Sequence, residues 1–587
     1  MKTTNKTSKQ LLAILLVISA FFYSCEKNES IDDPYIEDPS GSTLNQGASI
    51  QRSFMGRIVN QSNLALDNVN ITIGTKTAVT DSNGYFIIND VTVSERQAFI
   101  LAEKPGFLNG MRSVVPTQGV NQVKIMMVTE NLAGTVASGT SSEVTLTNGT
   151  KVAFDGNFKD ENGNAYSGNV DVYMYHLDPA NPEVENIMPG NLQAQNTNGQ
   201  ERLLETYGMI NVELKGDSGQ KLNIADASVA EIELPIDPAQ SGVAPSTIPL
   251  WHFDEVNGYW VEDGQATLSG GKYVGQVSHF SWWNCDAQFP TVNLCLNVVD
   301  NANSPLSSVR VELWRNGAVY PRVGISDGNG EICGLIPANE TLTLKAFDQC
   351  SVEVYSTTIG PFSSDTNLGN IVLATVTSTT ITGNLVDCSN ANVTNGYVVM
   401  DYGNQEASAQ ITNGAFSFSV LQCPSVTDFT IEGVDYDAFQ TTNLLNYNFS
   451  NTSIGNIIAC NAVTEFISIQ VDTDPVEYFI ANINTDQYTQ GSGFSVNANS
   501  GSAGTNEWFY LGVGDTTLGT YAISNNGVVG IEANIDMDYS IPNTLQFTLS
   551  SYGAVGQYID GTVTGTFTDN SGNVRTLSIT IHVLRDS

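Results

Sequence analysis

The stretch that decides the fold reads Gly56-Arg57-Ile58-Val59, then Val69-Asn70-Ile71-Thr72-Ile73, then Thr80-Asp81-Ser82-Asn83-Gly84-Tyr85-Phe86, then Lys104-Pro105-Gly106-Phe107. Apolar and polar side chains alternate in its short runs, a period of two that turns one strand face to a core and the other to water. Asn83-Gly84 is the dipeptide that supplies two positive-φ residues to a tight type I′ hairpin. The pattern returns twice. One copy reads Leu296-Asn297-Val298-Val299-Asp300, then 309–313, then Ser326-Asp327-Gly328-Asn329-Gly330-Glu331-Ile332. A looser one reads Ile381-Thr382-Gly383-Asn384-Leu385-Val386, then 397–400, then Ile411-Thr412-Asn413-Gly414-Ala415-Phe416. Helical periodicity is almost missing beyond residue 49. The expected class is all-β: tandem β-sandwich modules behind a signal segment and a flexible linker.

At 587 residues the chain exceeds what one core holds, because single cores stop growing at roughly 250–300 residues. Its 41% hydrophobic content suffices for real cores, and its 61 acidic against 23 basic side chains give a formal charge of −38. Such a surface repels phosphate backbones, so nucleic acid is excluded as a direct partner. Four histidines leave little scope for acid–base or metal chemistry near neutral pH.

The first residues carry an address. Lys2, Lys6 and Lys9 precede an apolar run over 11–23 that is too short to span a bilayer, the form of a secretory signal. It ends Phe22-Tyr23-Ser24-Cys25, which resembles the lipobox of bacterial lipoproteins. That resemblance implies cleavage before Cys25, diacylation of its sulfur, and membrane attachment through an N-terminal lipid anchor. The Glu/Asp/Pro/Gly/Ser-rich segment that follows reads as a tether. Its Glu26-Lys27-Asn28-Glu29 resembles the export signal of Bacteroidetes-type surface lipoproteins, which implies an outer-membrane, surface-exposed location.

The organisation expected is a signal peptide over 1–24, an acidic tether over 25–49, sandwiches over 50–129, 130–287, 288–375 and 376–463, and a C-terminal sandwich over 464–587. The units at 50–129, 288–375 and, loosely, 376–463 resemble the carboxypeptidase regulatory-like domain. This is a non-catalytic accessory domain, a transthyretin-like (Ig-like) sandwich of about seven strands, so the resemblance implies architecture and not peptidase activity. The unit at 130–287 contains Gly149-Thr150-Lys151-Val152, Gly168-Asn169-Val170-Asp171-Val172 and a closing Val277-Ser278-His279-Phe280-Ser281-Trp282-Trp283. These strands are similar to a ZU5-type sandwich. The last unit resembles C-terminal domains of Bacteroidetes lipoproteins.

Candidate sites are few. Some ZU5-related domains cleave themselves inside a His-Phe-Ser tripeptide, which implies Ser281 as nucleophile, His279 as base and Phe280 as acyl donor. The plainer reading is a last core strand. Asp160-Glu161-Asn162-Gly163-Asn164-Ala165, with Asp171 at position twelve, has the oxygen spacing of a calcium loop but lacks its Gly at position six, so a hairpin turn is the simpler account. Trp282 and Trp283 are adjacent on one strand, so one should face away from the core. Trp283 is then either a platform for stacking a sugar ring or a contact with the next module. His176 and His252 read as core or rim histidines. Beyond Cys25 the cysteines fall between 285 and 460 without CxxC spacing, which argues for disulfides over zinc. Cys333–Cys350 and Cys388–Cys423 are the pairs expected.

No cofactor or metal is implied, and no motif for hydrolysing an external substrate occurs. The sequence reads as a non-catalytic envelope lipoprotein, an extended rod of sandwiches for adhesion, binding or scaffolding, with envelope proteins or glycans as partners. Two alternatives stay open: a glycan-binding lipoprotein of a polysaccharide-uptake system, and a self-cleaving module cut at Phe280–Ser281.

Overall fold

The computed structural model describes residues 43–586 apart from 349, 375, 377, 404, 422–424, 439, 451, 463–464, 473–476, 480–481, 489–492, 500–507, 525–527, 534, 554 and 556–557. Cys25 and Cys423 lie outside the described residues, with the signal segment and most of the tether.

The repeated sequence is a repeated wiring. In the first module Ser49–Asn60 lies between Tyr85–Ser94, antiparallel, and Val120–Met127, parallel. This three-stranded sheet is accompanied by a four-stranded one of Lys76–Val79, Asn70–Ile73, Ala98–Glu103 and Gly110–Val114. The third module places Thr291–Val299 between Glu331–Pro337 and Thr366–Val372 in the same senses, and the fourth does so with Ser378–Asp387 between Ala415–Leu421 and Ser453–Ala459.

The turn motif has a local cause. The Thr80 hydroxyl donates to the Leu66 carbonyl (2.7 Å) and accepts from the Val69 amide (2.9 Å), while Ser326 does the same between Leu306 and Val309. Asp81 Oδ1 then accepts the amides of Asn83 and Tyr85, and Asp327 Oδ1 those of Asn329 and Glu331. Only the glycine takes positive φ in these two turns, 76° at Gly84 and 73° at Gly330. They are thus three-residue hairpins closed by an αL glycine, and of the three repeat turns it is Asn413-Gly414 in the fourth module that has the type I′ pair.

The second module is a single curved sheet of fourteen strands. At its centre Trp282–Phe289 is buried at every position. Alternation still holds, but each face meets its own core. Trp283, Cys285, Ala287 and Phe289 point into the module's interior, whereas Trp282 joins Met111, Met126 and Val128 of the first module with Trp251 and Trp260. Of the two readings for the tryptophan that faces away, packing between modules holds and a sugar platform does not: Trp282 takes that place, against the first module, and Trp282 is 2% and Trp283 1% exposed.

A rod is also not what forms. Met55, Tyr85 and Ile87 on the outer face of the first module pack with Tyr397, Val399 and Val434 of the fourth. Leu421 of the fourth module completes the core of the third. The first four modules cluster because strands such as Tyr85-Phe86-Ile87-Ile88 are apolar on both faces, and each large side chain taken out of water contributes roughly 1.5–3 kcal/mol. The C-terminal unit has a six-stranded and a four-stranded sheet and a core drawn from its own strands.

The disulfides differ from the expected pairs. Cys295 bonds Cys333, directly opposite it in the antiparallel register of Thr291–Val299 with Glu331–Pro337, and Cys388 bonds Cys460. Cys350 is disulfide-bonded elsewhere, and Cys285 is a buried free thiol. Strand pairing, not nearness in sequence, chooses the partners.

Candidate functional site

Where the four modules meet they leave a cavity of about 950 Å³ to which each contributes a wall. The repeat turns fasten those walls. The Tyr397 hydroxyl of the fourth module donates to Asp81 Oδ2 in the first module's turn, and the two rings Tyr85 and Tyr397 pack at 4.7 Å. Beside them the Tyr85 hydroxyl donates to Glu406 Oε1 (2.6 Å), and Arg57 ion-pairs with the same carboxylate. Burial pushes the Asp81 carboxyl up to about 6, against the lowering effect of the hydrogen bonds it accepts. Burial and the adjoining carboxylates push the phenols of Tyr85 and Tyr397 well up.

The third module's turn docks on the first in a related way. Thr117 Oγ1 donates to Asp327 Oδ2 (2.7 Å), and the Gln118 amide donates to Glu331 Oε2 (3.1 Å). Gly119 lies so close that a Cβ there would stand 2.7 Å from Asp327 Oδ2. The second and third modules are joined by Arg315, which grips Glu205 through two guanidinium nitrogens at 2.9–3.0 Å and lies over the Phe289 ring. The Tyr320 hydroxyl donates to Asp237 across the same boundary.

Among the described residues that line this cleft, cations equal carboxylates in number although the chain as a whole is strongly acidic. Arg57, Arg112, Lys124, Arg310 and Arg322 all border it. Arg112 is held between the Glu185 backbone carbonyl and carboxylate, and burial lowers its guanidinium from the usual range. Arg322 Nη2 donates to the Asn191 carbonyl (2.8 Å). The arrangement suits recognition: oriented donors beside apolar wall, in a volume typical of ligand pockets. The sequence signal for these junctions was the pair of unbroken apolar runs Tyr85-Phe86-Ile87-Ile88 and Tyr397-Val398-Val399-Met400. A strand with one wet face would alternate.

The self-cleavage residues are adjacent but differently engaged. Ser281 Oγ donates to the Trp282 carbonyl (3.1 Å), and His279 Nδ1 contacts Ser278 Oγ (3.3 Å). Among the described residues no hydrogen bond joins His279 to Ser281. Asn223 holds the Phe280 backbone, accepting from its amide (2.9 Å) and donating to its carbonyl (3.3 Å). Burial, then the neighbouring His252 ring at 4.7 Å, lowers His279 to about 4. Trp283 lies inside, its Nε1 donating to the His279 carbonyl (2.9 Å), and so offers no face to a sugar.

The acidic loop is a hairpin. Asp160 accepts the Asn162 and Asn164 amides and the Asn164 side chain, and Asp171 accepts from Thr135 on a neighbouring strand. His176 meets Asn148 at 2.8 Å and His252 packs on His279 and Trp283. Cys295, Glu331 and Cys333 lie together beside the cleft, but both sulfurs are spent in the disulfide.

No family model matches the chain. Residues of the chain are 27% identical over 117 positions to cartilage intermediate layer protein 2 of Mus musculus, a match that spans 20% of this chain and 10% of that protein. Solved structures with similarity include a point mutant of the shaft pilin SpaA of Lactobacillus rhamnosus GG, 10% identical, covering 29% of this chain and 98% of that one at a TM-score of 0.17. The major pilin BcpA of Bacillus cereus is 10% identical, covering 71% of this chain and 100% of that one at a TM-score of 0.11. Overlap this slight carries no argument about function, and the all-β sandwich architecture rests on the sheets themselves.

Proposed function

We propose that the protein is a non-catalytic cell-surface binding or scaffolding protein, held to the outer membrane through lipid on Cys25, with the four-module cleft as its recognition surface. The observation that carries this reading is the cleft itself: three separate junctions are built from repeat turns and paired side chains, and together they enclose one cavity. The tether beyond Cys25 would let the cluster stand off the membrane. Envelope proteins and glycans are the partner classes proposed.

The test follows one population of cells carrying the chain and another carrying Cys25→Ala. Both are labelled with a palmitate analogue, shaved with protease and scored for attachment to surfaces coated with envelope proteins or glycans. Label, protease sensitivity and attachment are expected on the first population and lost from the second. Attachment that is equal in both would refute the reading.

A further inference from the structure

In the third module a side chain is crowded out at Gly324 but meets open space at Gly334. The core-facing side of Thr291–Val299 carries Val292, Leu294 and Leu296, and the register sets Leu296 opposite Ile332, Leu294 opposite Gly334 and Val292 opposite Ile336. Gly334 therefore occupies a core position. A Cβ there would meet nothing within 4 Å, although the chain has ordinary negative φ at this site. By contrast a Cβ on Gly324, in the facing sheet, would strike Ile332 at 2.8 Å. Well-packed interiors do not leave a core position facing empty space.

The inward face beyond Gly324 ends in a cation. Pairing of Arg310–Arg315 with Arg322–Ile325 puts Val311 opposite Gly324 and Leu313 opposite Arg322, so Arg322 shares its face with core residues. Its Nη1 is shut from water and has no hydrogen-bond partner among the described residues. Arg322 and Gly334 border the same cavity, and Arg322 also borders a second, small cavity of about 70 Å³ beside Leu313 and Ile336. Of the ionisable groups around Arg322, Glu185 and Glu205 border the small cavity and are paired with Arg112 and Arg315. The Asp286 carboxyl is fully buried, bound by Asn284 and pushed well above the ordinary range by burial. Arg112 is a like charge. A guanidinium nitrogen without a partner in such surroundings is costly, and an anion beside it relieves the cost.

We infer that the open space in the third module binds an anionic amphiphile, a carboxylate on an apolar chain such as a free fatty acid. The carboxylate is taken by Arg322 and the chain enters the slot beside Gly334. A peptide fits worse, since its backbone amides would enter a slot walled by Leu294, Leu313 and Ile332 without partners. A polyanion is repelled by the rest of the surface, whereas a single carboxylate needs a single cation.

The test uses the full chain carrying Cys25→Ala, so that no acyl group of its own competes. Binding of palmitate, methyl palmitate and inorganic phosphate is followed by calorimetry. Palmitate is expected to bind with one-to-one stoichiometry, and its ester roughly tenfold or more weaker, the loss of one charge-assisted hydrogen bond. Arg322→Gln should bring palmitate down to the affinity of the ester. Gly334→Leu, whose side chain would fill the open space, should block both ligands. Equal binding of acid and ester overturns the inference. So does phosphate binding as tightly as palmitate, palmitate binding that survives both Arg322→Gln and Gly334→Leu, or no palmitate binding at all.

Discussion

Replacing Asp81 by Asn should make the junction between the first and fourth modules insensitive to pH. In the folded chain Asp81 titrates near 6, against an ordinary value of 3.8, because docking of Tyr397 removes its carboxyl from water. The groups that face it are Tyr397, Tyr85 and, by repulsion, Glu432. A raised folded-state value means that the folded state holds the proton more tightly. The favourable contribution is fully present below about pH 3.8 and is lost as pH rises through about 6. A two-unit shift corresponds to no more than about 3 kcal/mol, an upper figure since the turn is only partly buried. The introduced carboxamide still offers an oxygen to the Asn83 and Tyr85 amides, and its nitrogen can donate to the Tyr397 hydroxyl. Urea unfolding of parent and Asp81→Asn, from pH 4 to 8, reads the difference between the two and cancels the other carboxylates. The variant should gain on the parent by up to about 3 kcal/mol as pH rises, with most of the gain complete near pH 6. A difference that stays flat with pH, or that moves toward the parent as pH rises, would refute the electrostatic account of this junction.

Other consequences follow from single side chains. Trp282→Ala removes a buried ring from the core shared by the first two modules and should cost about 3–5 kcal/mol by denaturant unfolding, whereas an exposed sugar platform would cost almost nothing. Cys388→Ser with Cys460→Ser opens a bridge across 72 residues and should lower stability by about 4 kcal/mol under oxidising conditions, with no change once the parent is reduced. Gly84→Ala places a Cβ 2.5 Å from the Ile58 carbonyl at positive φ and should destabilise the first module by about 1–3 kcal/mol in thermal melts. The purified chain should run as one band on a denaturing gel, because Ser281 and His279 are each engaged elsewhere. Two fragments meeting at Phe280–Ser281 would contradict that.

The strands were legible because period-two patterning and Asp-x-Asn-Gly turns are local. Thr80 and Asp81, or Ser326 and Asp327, build their hairpin from hydrogen bonds spanning a few residues or closing back on one neighbouring strand. What those turns do between modules was not legible, since Tyr397 is 316 residues from Asp81. The disulfides failed for a related reason. Cys295 and Cys333 are partners through strand register, as Met55 and Ile87 stand opposite each other at the corresponding positions of the first copy. Which of the two adjacent tryptophans turns to a neighbouring module was not legible, since alternation says that they point oppositely but not which way each points: Trp282, not Trp283, packs there. In the second module both faces of Trp282–Phe289 are dry. The empty position at Gly334 leaves no mark in composition, as one glycine in a strand reads the same whether its space is filled or open.

The central claim is that the first four sandwiches close around a shared cavity. Small-angle X-ray scattering of the full chain tests it most directly. A clustered body predicts a radius of gyration closer to roughly 25 Å, the value for a compact chain of this length, whereas sandwiches strung end to end would give about 50 Å and contradict the account.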